Sequence, residues 1–159
     1  MSPSPPTPKE SSPASAVEVL MALRFAERAA RKAVQSELVG SGVHAGQEFV
    51  LDKLLRHGSI RVAHLALMLD VQVPTATKTT QRLEAAGLVR RTRHTDDARQ
   101  VQIELTEHGR EVAQHVRRLQ MKAGRRALRG IDAEQRRTLR NLLWQVIENV
   151  EDAPETEAP

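Results

Sequence analysis

The chain has 159 residues, enough for one domain of ordinary size, and it holds no Cys. That excludes disulfides, thiolate metal sites, Cys nucleophiles and thiol oxidation as a signal. The longest apolar runs are five residues, Val19 to Leu23 and Leu65 to Leu69, far short of the roughly 18 of a membrane span and shorter than a signal-peptide core, so a cytoplasmic chain with no membrane partner is expected. The net charge of +4 is unevenly spread: Lys and Arg number 7 against 6 acidic residues in 1–60, 17 against 9 in 61–140, and none against 5 in 141–159. A basic middle is the footprint of a polyanion partner. With Phe25, Phe49 and Trp144 as the whole aromatic inventory, stacking platforms for single strands are lacking, and duplex DNA is the favoured polyanion.

Residues 1–15 carry five Pro and five Ser and read as a disordered tail; 151–159 read as an acidic, fraying tail. Between Ala14 and Ala153 stands a single proline, Pro74, so long helices are permitted. Leu20, Leu23, Ala26, Ala30 and Ala33 step at helical spacing and predict a first helix over 16–38, ended by Gly40 and Gly42. A second, about 45–56, is expected to bury Phe49, Val50 and Leu54, with Leu51 a further candidate, and to stop at Gly58. Ser59 is a candidate cap for a short third helix to Leu69, burying Val62, Leu65, Ala66 and Leu69. Pro74 suits the first turn of a fourth helix that Gly87 ends. The period then changes: Leu88 to Arg93 and Gln100 to Leu105 alternate around the turn-rich stretch 94–99, which predicts a two-stranded hairpin. Thr106 caps a long helix to about Arg129, stripe Val112, Val116 and Leu119, with Gly124 as its weak spot. Asp132 with Gln135 resembles a capping box for a last helix whose apolar face is Leu139, Leu142, Leu143, Val146, Ile147 and Val150.

Two short helices joined by a tight turn and followed by a basic hairpin make a winged helix-turn-helix within a mainly α chain. On the fourth helix Thr75, Thr77, Lys78, Gln81 and Arg82 are polar, of the types that donate to base edges and phosphates, while Ala76, Thr80 and Leu83 face inward. Arg90, Arg91, Arg93, His94 and Arg99 make the wing basic, suited to phosphates and a narrow minor groove. Asp97 is placed to pair with Arg99 across the turn and aim its guanidinium.

The span Gln47 to Gly109 resembles the MarR family of bacterial transcriptional regulators. The residues that carry the resemblance are Gln47, then Arg82-Leu83-Glu84, Gly87-Leu88-Val89, Asp97 and Arg99, and finally Leu105-Thr106 and Gly109. The resemblance implies a homodimer in which long N- and C-terminal helices interlock. Each subunit then presents one winged helix to half of a pseudo-palindromic operator, with repression relieved by a small anionic or aromatic effector. On that pattern 16–150 is one regulator domain, its DNA-binding part about 45–106 and its dimerisation helices about 16–38 and 107–150. Thr79 and Thr80 stand where larger aliphatics are usual, which implies looser packing of the recognition helix, and the absence of Cys removes a thiol-oxidation response.

Other classes are weighed against this one. No Gly-rich phosphate loop, nucleophile elbow or His-Glu-x-x-His is present, so neither an enzyme nor a cofactor is expected. A metal-responsive regulator would draw on His44, His57, His64, His94, His108 and His115, but no two are spaced i, i+4 for chelation on one helix, and no metal site is assigned. A winged-helix module that binds protein instead of DNA is the remaining alternative.

Overall fold

The computed structural model describes residues 14–93 and 101–151, and of Arg93 and Val101 it describes the backbone. The two expected tails, apart from Ala14, Ser15 and Glu151, and the wing turn with His94, Asp97 and Arg99 lie outside the described residues.

Helix α1, Ala16–Leu38, starts at a capping box. The Glu18 N–H donates to Ser15 Oγ at 3.3 Å, and the Ser15 N–H and hydroxyl donate to Glu18 Oε2 at 2.8 and 2.9 Å. Those bonds, the backbone one first, hold the Glu18 carboxyl below its ordinary value. Ser15 is thus an ordered cap instead of the last residue of a tail. Helix α2, Gln47–His57, begins with a reciprocal pair: His44 N–H donates to Gln47 Oε1 at 2.9 Å and Gln47 N–H to the His44 carbonyl at 3.0 Å. Its buried face is Gln47, Glu48, Val50, Leu51 and Leu54. Phe49, expected in the core, is 56% exposed, because Val50, Leu51 and Leu54 turn the helix so that position 49 looks outward.

Strand β1, Ile60–Arg61, was not anticipated. It pairs antiparallel with β3, Val101–Leu105, setting Ile60 opposite Ile103 and Arg61 opposite Gln102. Strand β2, Val89–Arg93, pairs with the other edge of β3, Val89 opposite Leu105 and Arg91 opposite Ile103. The hairpin is therefore two strands of a three-stranded sheet in the order β1-β3-β2. Ser59 does not cap the next helix; its hydroxyl donates to Gln102 Oε1 at 2.7 Å, tying the chain before β1 to the sheet.

Helix α3, Val62–Met68, and helix α4, Val73–Ala85, form the helix-turn-helix, with Asp70 at φ 50° in the turn and Pro74 in the first turn of α4. Ala76, Thr80 and Leu83 are buried as expected. Thr80 is fully enclosed and its hydroxyl donates to the Thr77 carbonyl at 2.9 Å, so a satisfied contact stands where looseness was expected.

Helix α5, Glu107–Ala127, is fastened to the entrance of the wing. Thr106 Oγ1 accepts from the Gly109 N–H at 2.9 Å and donates to the Gly87 carbonyl at 2.7 Å, while the Thr106 N–H donates to the Leu88 carbonyl at 3.1 Å. A Cβ on Gly109 would lie 1.7 Å from the Leu88 carbonyl oxygen, so only glycine permits this approach. Around the sheet Leu38, Leu51, Leu54, Leu65, Leu83, Val89, Ile103 and Val116 share one core.

The chain divides into two compact units after Gly124. In the second, helix α6, Ala133–Glu151, starts at the expected box: Asp132 N–H donates to Gln135 Oε1 at 2.9 Å and Gln135 N–H to Asp132 Oδ1 at 2.8 Å. None of its residues is buried.

Candidate nucleic-acid interface

Successive residues of a helix turn by 100°, so Ala76, Thr80 and Leu83 fix the inward side of α4. Thr75, Lys78, Gln81 and Arg82 then fall within about 120° of one another on the opposite side, and all four are exposed. Thr77 sits on the flank, half-buried, and its hydroxyl donates to the Val73 carbonyl at 2.8 Å. Its proton is engaged by the helix backbone, which leaves Thr77 an acceptor and a methyl group to present, whereas sequence reasoning had cast it as a donor.

The wing arginines divide. Arg90 Nε lies 2.6 Å from Glu104 Oε1, a cross-strand pair on the outer face of the hairpin. Arg91 Nε lies 2.9 Å from Glu84 Oε2 and so links β2 to the end of α4. Each meets a carboxylate first, and Arg91 acts here as a strut between α4 and β2. The side chain of Arg93, with Arg99 and Asp97, lies outside the described residues.

Gln72 and Pro74, which sequence reasoning did not assign to this surface, lie beside the polar face of α4. Gln72 occupies the N-cap of α4 yet makes no side-chain capping bond, and both residues are exposed beside Thr75. The signal was present in the Gln-Val-Pro that precedes the helix, a cap position held by a residue that caps poorly. The ion pair of Glu84 with Arg91 had no such signal, because seven residues and a change of element separate the partners.

Among the described residues no group of three or more His, Cys, Asp or Glu is placed to hold a metal ion. No described helix is long and apolar enough to cross a membrane.

A helix-turn-helix with a polar outer face on its second helix, joined by an ion pair to a hairpin wing that is part of a three-stranded sheet, defines a winged helix-turn-helix domain. Residues 44–101 match the model of the MarR family. Over 99 residues the chain is 32% identical to the HTH-type transcriptional repressor MdtR of Bacillus subtilis (strain 168), a match that takes in 60% of this chain and 64% of that protein. Over the matched stretch the winged-helix part of this chain is similar to the MarR family. The fold is shared with solved structures at low identity. A mutant of MarR from E. coli, complexed with operator DNA, superposes with a TM-score of 0.76 at 21% identity, covering 82% of this chain and 94% of that one. A MarR transcriptional regulator from Methanosarcina mazei Go1 gives 0.75 at 24% identity, covering 86% and 98%.

Proposed function

We propose that this chain is a homodimeric, sequence-specific regulator of transcription that binds double-stranded DNA, a repressor released from a pseudo-palindromic operator by a small-molecule ligand. The observation that carries the reading is the outer face of α4: Thr75, Lys78, Gln81 and Arg82 are exposed together, opposite a buried face and beside the wing. The MarR-family match and the operator complex of the E. coli protein point the same way.

Dimerisation is supported by apolar side chains left uncovered in the single chain. Val17, Leu20 and Met21 of α1 and Leu139, Leu142, Leu143, Ile147 and Val150 of α6 are all exposed. Release by a ligand is supported by a cleft of about 480 Å3 lined by Gly42, His44, Gln47, Arg82, Ala85 and Ala86, within the size range of small-molecule sites. An anion held there by Arg82 would draw one of the four outward polar groups of α4 away from DNA.

Selection of bound fragments from genomic DNA, followed by footprinting, tests the reading. The expected result is a protected pseudo-palindrome whose half-sites lie about 10 base pairs apart centre to centre. Recovery of fragments with no common sequence would contradict it.

A further inference from the structure

A second polar surface lies away from the outer face of α4. His57 at the end of α2, Ser59, Arg61 of β1, His64 of α3 and Gln102 of β3 line one cleft of about 290 Å3. Four elements or their ends thus bring donor-bearing side chains to one place, and no carboxylate lines it. The cleft is smaller than pockets that enclose drug-sized ligands; its polar side chains, apart from Gln102, are exposed, while Ile60, which also lines it, is buried and Met68 is half-buried. Because the Ser59 hydroxyl donates to Gln102 Oε1, the acceptor end of that amide is occupied and its NH2 is what remains to donate. An imidazole carries at least one N–H in either protonation state, so His57 and His64 also offer donors. A metal ion fits poorly here, since the guanidinium of Arg61 shares the cleft; an oxyanion fits its chemistry.

The position decides which oxyanion. Arg61 is paired in register with Gln102, one residue from the end of β3 that leads into the wing turn, and the same cleft reaches α3, the first helix of the helix-turn-helix. In helix-turn-helix complexes that first helix crosses the DNA backbone. We infer that this cleft is a phosphodiester-binding site, which grips the operator backbone where it passes from the groove read by α4 to the groove followed by the wing. The inference rests on the DNA-binding reading above and adds residues outside the recognition helix and the wing hairpin's arginines. Such a contact positions the protein on the duplex and carries no sequence information.

The test compares the full chain with the double variant His57→Ala, His64→Ala and with His64→Glu, using fluorescence anisotropy on a duplex recovered by genomic selection and on an unrelated duplex. His57 and His64 are exposed, so the melting temperature should be unchanged. The expected result is a loss of about tenfold for the double variant and a larger one for His64→Glu, equal on both duplexes, with the selected sequence unaltered. Wild-type affinity in both variants, or a loss confined to particular bases, would overturn the inference while leaving DNA binding intact. A wild-type chain that binds no duplex would overturn the DNA-binding reading itself. Imidazole NMR shifts add a second readout: shifts induced by duplex but not by inorganic phosphate at matched concentration are expected. Equal shifts with inorganic phosphate would assign the cleft to a free anion instead and overturn the inference.

Discussion

Between α2 and β3 a set of large apolar side chains closes over itself, with Leu51, Leu54, Leu65, Leu83 and Ile103 all but inaccessible although Phe49 and Leu67 look outward, whereas α6 exposes Leu139, Leu142, Leu143, Ile147 and Val150 and buries none of its residues. Both regions have clean helical or strand periodicity, so patterning alone does not distinguish them. The difference lies in what covers each face. The winged helix has a sheet at its centre with helices packed on it, and its core closes within one chain. At roughly 2 kcal/mol for a fully covered side chain, the exposed face of α6 represents several kcal/mol that covering it would contribute. The winged-helix region is therefore self-sufficient in its packing, whereas α6 leaves an apolar face uncovered.

The sharpest way to break the self-sufficient region is Gly109→Ala. Its new methyl group would collide with the Leu88 backbone at the joint of α5 and the wing, and we expect a loss of about 3 kcal/mol in chemical denaturation. A variant as stable as wild type would show that the joint gives way easily. A charge on the other region separates the two further. Leu142→Asp should leave the winged-helix core intact while weakening self-association by about tenfold to a hundredfold, read by sedimentation across a concentration series. An unchanged association constant would remove α6 from the interface.

The smallest effect lies at the start of α1. Ser15 holds the Glu18 carboxyl below its ordinary value of 4.5, so the capping box contributes above that pH and is lost as the pH falls through the lowered value. Amide hydrogen exchange at Val17 to Val19 should show extra fraying under acid, and Glu18→Gln should abolish that pH dependence while core amides stay as they are.

Much of this architecture was legible because it rests on local chemistry. Pro74 and Gly87 bracket α4, Thr106 caps α5, Asp132 and Gln135 cap α6, and the alternation of Val101, Ile103 and Leu105 marks a strand. What escaped depends on contacts between distant positions. A two-residue strand such as β1 has no period to detect, and it exists because β3 offers Ile103 and Gln102 as partners. Phe49 is the most apolar residue at the start of α2, yet the stripe of Val50, Leu51 and Leu54 sets which side turns inward. The same limit applied to the candidate interface. Thr75, Lys78, Gln81 and Arg82 were identifiable from helical spacing, but the pairing of Arg90 with Glu104 and Arg91 with Glu84 required the folded hairpin. Gly109 was visible as part of a family pattern, and the Leu88 carbonyl supplies its physical reason.

The central claim is that the outer face of α4 reads bases, and Lys78→Ala tests it most directly. Its affinity would be measured beside wild type on the selected operator and on a set of single-base variants of that operator. The account predicts a loss of about 1 to 3 kcal/mol on the operator, with discrimination relaxed at one position in each half-site and retained elsewhere. A uniform loss across all sequences, or none, would contradict it.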